Sequence, residues 1–407
     1  MFIRGHECVA KDKLLAASVL AIFTLVAQPS DIKRLEVLRE QHPRDAVVLY
    51  NLAAEYADAG KRVDVLPLLE ELANAPGGLD PSVYRGFVFL HGTPEFQRLV
   101  ARIRRANPPR VRSRLAYTIQ ESNLGPEGLA FDPRTRCLFA GSIRRKVIRI
   151  DASGEARDFV PAAKYELGIV FGLRVDPVRR RLWAVSEDPQ GFATLNGGTA
   201  LFQFDIDSGS LIARYAGPTK MAGFLNDVVV EPVSGIAYAT DTTDGSIWRA
   251  VPGASTLEEF LPANTVREAN GITTSPDGRY LFVAGWHDII RVELRNRAVR
   301  IIENPTKLTD ASMDGMYFYR NSLVGIQNGI HPGRVVRFWL DGSLGRVKRS
   351  EILETYNPLF EGVTTGAIDG DTFLFFANGQ LRKVRPDGTV QPGVELRPIL
   401  ILRLKLA

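Results

Sequence analysis

Glu127-Gly-Leu-Ala-Phe-Asp-Pro133 is the first of six related stretches that decide the fold. The others are Phe171-Gly-Leu-Arg-Val-Asp-Pro177, Asn226-Asp-Val-Val-Val-Glu-Pro232, Asn270-Gly-Ile-Thr-Thr-Ser-Pro276, Asp314-Gly-Met-Tyr-Phe-Tyr319 and Glu361-Gly-Val-Thr-Thr-Gly366. Their first residues are separated by 44, 55, 44, 44 and 47 positions. Between them, short β-rich runs alternate with Asp-Gly, Asn-Gly and Asp-Pro turns, and helical spacing is absent. A period near 45 residues built only of strands predicts a four-stranded blade, and six periods predict a six-bladed β-propeller. The long second interval has a local source, an insertion from Glu187 to Thr199. Leu115-Ala-Tyr-Thr-Ile-Gln120 precedes the first repeat and is expected to close the ring against the C-terminal blade, which removes open sheet edges.

Upstream, the pattern changes to three- and four-residue apolar steps, as in Leu49, Leu52, Ala53 and Tyr56, then Leu66, Leu69 and Leu72. Breaks at His42-Pro43, Gly60, Pro76-Gly77-Gly78 and Gly92 divide this region into four or five short helices. Val48 to Gly60 and the helix after it resemble one tetratricopeptide hairpin. The fold class is therefore mainly β: a six-bladed propeller over 113–407, preceded by a small α-helical, TPR-like domain over 29–108. Such a helical region is a cap or a docking point for a protein partner.

Residues 1–28 read as a leader. Lys11 and Lys13 precede an apolar run from Leu14 to Ala27, short for a membrane span. A secretory signal is expected, with a membrane anchor as the alternative, which places the protein outside the cytoplasm, secreted or periplasmic. Two cysteines, Cys8 and Cys137, are too few for a disulfide framework. The net charge is +5, and the densest basic run, Arg102 to Arg114, contains Pro108 and Pro109. It reads as a solvated linker, and no nucleic-acid module accompanies it.

In a propeller the innermost strand of each blade lines the central channel, so equivalent positions form a ring about the axis. The ring predicted by the six repeats is Glu127, Phe171, Asn226, Asn270, Asp314 and Glu361. Glu127, Asn226, Asn270 and Asp314 bring hard oxygen donors to one place, which suits Ca²⁺; Mg²⁺, Mn²⁺ or Zn²⁺ are other divalent candidates. Histidine and thiolate are missing from the ring, which argues against zinc or copper. Loops between second and third strands share that face and carry Asp241, Trp286, His287, Gln327, Asn328 and His331.

Gly125-Pro-Glu-Gly-Leu129, Leu225-Asn-Asp227, Ala269-Asn-Gly-Ile272, Ser275-Pro-Asp-Gly278, Met313-Asp-Gly-Met316 and His331-Pro-Gly-Arg-Val-Val-Arg337 together resemble the regucalcin/gluconolactonase family of the senescence marker protein type. The resemblance spans roughly Leu124 to Gly388. It implies a Ca²⁺-type ion on Glu127, Asn270 and Asp314, with Asn226 on the metal or the substrate, and hydrolysis of lactones or related esters. It also makes Asp314 the first candidate for the base; His287 or His331 is the second, because an ordinary imidazole titrates near neutral pH. Phe171 and Trp286 are expected to wall the pocket, with Asp241, Gln327, Asn328 and Glu361 as further substrate contacts. Phe224 and Leu225 stand where the family carries an arginine, which argues against a sugar-acid substrate. A Gly-x-Ser-x-Gly elbow is absent, so serine hydrolase chemistry is not expected. The rival expectation is a non-catalytic propeller scaffold around a structural ion.

Overall fold

The strands sort into six four-stranded antiparallel sheets. This computed structural model describes residues 31–75, 77–189, 198–217, 223–306 and 308–407. The expected leader and the central part of the blade-two insertion lie outside the described residues. Five blades each use four consecutive strands. The sixth combines Gly366–Asp369, Thr372–Phe376 and Ile399–Lys405 with Arg114–Ile119 from the start of the propeller. Arg114 pairs with Arg403 and Ile119 with Ile399, so the ring closes through the strand anticipated from the sequence. The protein is a six-bladed β-propeller.

Between blades the packing is apolar and continuous. Phe139, Phe202 and Phe204, for example, join blades one and two in one buried cluster. Aromatic and β-branched side chains suit this pleated, two-sided burial.

The helical region contains α1 (Asp31–Gln41), α2 (Ala46–Asp58), α3 (Arg62–Asn74) and α4 (Pro94–Ala106), with two short 3₁₀ turns before α4. Asp45 caps α2 by accepting the Val47 and Val48 amides at 2.8 and 3.1 Å. Thr93 caps α4, with Pro94 at its first turn. Among the described residues no helix is long and apolar enough to cross a membrane.

These helices do not stand apart. Leu35, Leu49, Leu52, Leu69 and Phe87 share one buried cluster with Trp286 and Ala311 of the propeller. The Asp80 amide donates to the His331 carbonyl at 2.8 Å, and the Arg334 guanidinium reaches the Gly77 carbonyl. The connector is equally fixed. Arg110 and Thr355 exchange two backbone hydrogen bonds, and buried Glu354 accepts from the amides of Arg112 and Ser113. The helical region is thus seated on the loops of blades four and five, on the face where the inner strands begin.

Candidate metal centre

The ring residues reach the axis because the inner strands are bulged. Regular pairing in blade one jumps from Pro126 to Leu129, leaving Glu127 and Gly128 out of register. The same jump isolates Phe171–Gly172, Asn226–Asp227 and Asp314–Gly315. A bulge adds one residue and re-aims its side chain. The glycine after the ring residue is required by proximity. A Cβ at Gly128 would collide with the Phe171 carbonyl, and one at Gly271 with the Asp314 carbonyl. The Asn-Gly and Asp-Gly pairs that signal turns in the sequence are therefore close crossings between neighbouring inner strands.

Glu127 and Asp314 are 2% and 3% exposed, and among the described residues no basic side chain is hydrogen-bonded to either. Burial pushes Glu127 well above the usual carboxylate range, and the nearby charges of Asp314 and Asp227 push in the same direction. Asp314 is also raised, by burial first and then by Asp227; a hydrogen bond from Asn328 Nδ2 at 2.5 Å opposes the rise. The Asn270 amide lies against Asp314. Two buried acceptors on this ring, Glu127 Oε2 and Asn270 Oδ1, have no hydrogen-bond donor among the described residues. The Asn226 Nδ2 donates to Thr242 Oγ1 at 3.0 Å, which turns its carbonyl oxygen the other way.

Asp227 and Arg174 are features that the sequence reading did not assign to the centre. Asp227 occupies the position that is glycine in four other blades. Its carboxylate accepts the Val228 amide at 2.8 Å and the Ile272 amide of the next blade at 3.2 Å. Arg174 crosses the channel to donate to the Val228 and Ile272 carbonyls at 3.1 and 3.2 Å. Its guanidinium lies 3.9 Å from Asp227 and over the Tyr317 ring at 5.1 Å. A charge in the interior of an inner strand, where apolar residues are the rule, is the signal that could have found both.

The sixth ring position is Thr364, not Glu361. Thr364 and Thr365 both donate to the Glu127 carbonyl, and the Thr365 Cα faces Gly315 just as the Asp227 Cα faces Gly172. Glu361 precedes the strand by several residues and pairs with Lys383 at the rim. The Glu361-Gly362 dipeptide imitates the repeat three positions too early.

Other expected pocket residues are drawn into structure. Phe171 packs edge-on against Phe224 at 4.8 Å, in a buried cluster that also holds Ile143 and Leu381. One side of the ring is thereby sealed by apolar contributions from blades one, two, three and six. Asp241 is buried, accepts the Phe224 and Thr243 amides, and is pushed up to about 6 by burial and by Asp244. Gln327 donates to the Thr309 and Ala311 carbonyls and accepts from Arg334 at 2.7 Å, so it braces the loop beneath the helices. Asn328 alone among these loop residues bonds directly to a ring carboxylate.

Trp286 and His287 are corrections of the same kind. Trp286 is buried beneath the helices, with the Arg34 guanidinium over its ring at 4.4 Å. His287 sits between Asp288, 3.1 Å from Nδ1, and Asp45, 3.6 Å from Nε2, and its ring is tilted against that of His42 with centroids 4.7 Å apart. Burial alone would lower this imidazole, but the bond to Asp288 and the Asp45 carboxylate outweigh it and push it up to about 10. It is a docking cation, not a base poised near neutrality. His331 differs: burial lowers it and keeps it neutral.

The sign of the His287 linkage follows from its raised value. Its contribution to stability is complete below the usual 6.5 and is lost as pH rises toward about 10. Asp45 is lowered below 3.8, so the pair weakens again only at strongly acidic pH. Asp310, raised to about 7 by burial with Asp288 and Asp45 nearby, also loses stability as pH rises. Subtracting a His287→Gln variant isolates the histidine. The melting-midpoint advantage of the native protein over that variant is expected to shrink between pH 6.5 and 10. A constant difference across that range would contradict the ion-pair assignment.

No protein-family model matches the sequence, and no curated protein matches it. Solved structures do resemble the fold. The PQQ-bound aldose sugar dehydrogenase from Streptomyces coelicolor is 16% identical, with 71% of this chain and 96% of that one covered and a TM-score of 0.46. An oxidoreductase described as a glucose dehydrogenase, from Thermus thermophilus, is 16% identical over 72% of this chain and 99% of that one, with a TM-score of 0.45. A nidogen/laminin complex matches at 15% identity over 55% of this chain and 79% of that one, with a TM-score of 0.43. At these identities the likeness concerns the fold alone.

Proposed function

We propose that the protein is a divalent-metal-dependent hydrolase of lactones or related esters. The observation that carries this reading is the pair of buried acceptor oxygens with no donor among the described residues, Glu127 Oε2 and Asn270 Oδ1, beside the carboxylates of Asp314 and Asp227, whose charges add to the burial that raises Glu127. An unpaired buried acceptor costs about 1–3 kcal/mol, so such a ring favours an occupant. Oxygen-only donors fit a hard cation, and Ca²⁺ tolerates this irregular set best. Glu127, Asn270 and Asp314 would hold it, with Asn226 alongside. A bound cation would polarise the substrate carbonyl and stabilise the negative charge that develops on its oxygen.

The chain supplies the remaining steps. Asp314 accepts a proton from the attacking water at a carboxylate oxygen, held in place by Asn328. The water oxygen bonds to the carbonyl carbon and the acyl carbon–oxygen bond breaks. The proton on Asp314 then passes to the departing alkoxide, giving an acid and an alcohol, or one hydroxy acid from a lactone.

The test is a panel of lactones and aryl esters assayed with Ca²⁺, Mg²⁺, Mn²⁺, Zn²⁺ and chelator. Asp314→Ala is expected to lower turnover at least about 10²-fold, the scale of losing an acid–base group. Activity that survives both chelation and this substitution rules the mechanism out. Burial of the ring favours one second reading, a scaffold with an internal structural ion. Under that reading the metal binds and stabilises, yet no member of the panel is turned over.

A further inference from the structure

The basic run from Arg102 to Arg114 reads as a solvated linker in the sequence, but the structure divides it. Arg102 pairs with Glu70, Arg104 with Asp80 and Arg112 with Glu351. Arg114 goes elsewhere. It begins the strand that closes the ring and stands directly opposite Arg403. Residues opposite one another in an antiparallel pair project to the same side, and like charges there repel. Lys405, two residues beyond Arg403, projects to that side too.

That side packs on blade one. Ile399, Ile401 and Leu374 join Leu129, Ala140 and Ile148 of blade one in a single buried cluster. The alternation would place apolar residues at 403 and 405 as well if the two blades stayed in contact. Arg403 and Lys405 stand there instead, and both are exposed. The blades part at this point around a cavity of about 980 Å³. It lies on the face where the inner strands end, opposite the metal centre.

Among the described residues the cavity lining has two carboxylates, and both are engaged. Asp369 holds Arg136 at 2.7 Å, while Asp371 holds Arg320 at 2.8 Å and accepts from the Tyr319 hydroxyl at 2.8 Å. Arg114, Arg403 and Lys405 are left over. Their side chains make no hydrogen bond or ion pair among the described residues. Antiparallel partners lie about 5 Å apart and residues two apart along a strand about 7 Å, so the three cations converge on one spot. A single tetrahedral anion can bridge them, the arginines offering planar forks and the lysine a point charge.

We infer that this cleft binds a phosphate group, held by Arg114, Arg403 and Lys405. A phosphomonoester brings nearly two charges and three acceptor oxygens, which answers the repulsion between the paired arginines better than one carboxylate. Nucleic acid is disfavoured, because the free cations gather at one point and form no stripe. The same chemistry is offered by soluble phosphomonoesters and by phosphatidate head groups, and the experiment separates the two. The inference goes beyond the hydrolase reading and does not rest on it.

The experiment is titration calorimetry of the metal-free full chain with inorganic phosphate and with glycerol 3-phosphate at low ionic strength. One equivalent is expected to bind. Arg403→Gln is expected to weaken affinity at least about tenfold, the lower bound for a hydrogen bond to a charged group. Lys405→Gln, at the exposed end of the strand, is expected to weaken it too, and repeats the test should Arg403→Gln fold poorly. Arg300→Gln removes the same charge from the exposed outer strand of blade four and is expected to bind as the native protein does. Without phosphate, Arg403→Gln is expected to raise the melting midpoint, since it removes the repulsion from Arg114. Absence of binding by the native protein, an equal loss in Arg300→Gln, or native affinity in both Arg403→Gln and Lys405→Gln overturns the inference. Co-sedimentation with vesicles of phosphatidate in phosphatidylcholine, lost in Arg403→Gln, supports it with a lipid head group as the occupant. Binding of glycerol 3-phosphate without co-sedimentation supports it with a soluble phosphomonoester.

Discussion

Glu127→Gln is expected to make the metal-free protein more stable while removing its affinity for divalent cations. The two effects have one cause. Glu127 is buried with Asp314 and Asp227 for neighbours, and its raised pKa means the folded state binds a proton more tightly than the unfolded chain. In the absence of metal, stability therefore falls as pH rises from 4.5 toward the folded value. Glutamine removes that penalty, and its amide can donate to the remaining carboxylates. Relief of about 1–3 kcal/mol corresponds to a rise of about 2–5 °C in melting midpoint for a domain of this size. The gain should grow with pH. In millimolar Ca²⁺ the order reverses, since the native protein gains the binding free energy by linkage and the variant does not. Loss of one anionic ligand is expected to weaken affinity at least about 100-fold. Calorimetric melts in excess chelator and in Ca²⁺ check both halves. A lower midpoint for the variant in chelator would mean that the acidic ring is already satisfied without metal.

Trp286→Ala is expected to release the helical region and leave the metal centre intact. The indole is buried among helical residues, and removing a buried tryptophan costs about 3–5 kcal/mol. The Arg34 guanidinium over its face adds about 0.5–1 kcal/mol. Limited proteolysis should cleave within residues 31–106 far faster in the variant, while Ca²⁺ affinity stays within a few-fold of native. A large loss of Ca²⁺ affinity with the helices still protected would restore Trp286 to the pocket.

The propeller was legible because its signal is repetition. Each stretch is ambiguous alone, but six in register specify blades, and Leu115 to Gln120 had no repeat of its own to join. The equivalent ring positions of Glu127, Asn226, Asn270 and Asp314 were legible for the same reason. Glu361 misled because its glycine copies the motif, whereas the true position, Thr364, is followed by threonine. Asp227 was quoted in a motif but not read as a channel charge, since its role depends on the neighbouring blade's Ile272 amide. Trp286 and His287 were correctly placed on the loop face. What covers that face is a tertiary fact: no local pattern states that Asp45, already an N-cap, also faces a histidine more than two hundred residues away.

The closing strand also carries a consequence in time. Ile399–Lys405 lies between Thr372–Phe376 and Arg114–Ile119, so it is the piece that both await. As a growing chain emerges N-terminus first, these two strands carry unpaired edges until Ile399–Lys405 appears. Until that strand is made, the nascent propeller is an open arc with an unpaired strand edge at each end. Loss of Ile399–Lys405 would leave it in that condition permanently.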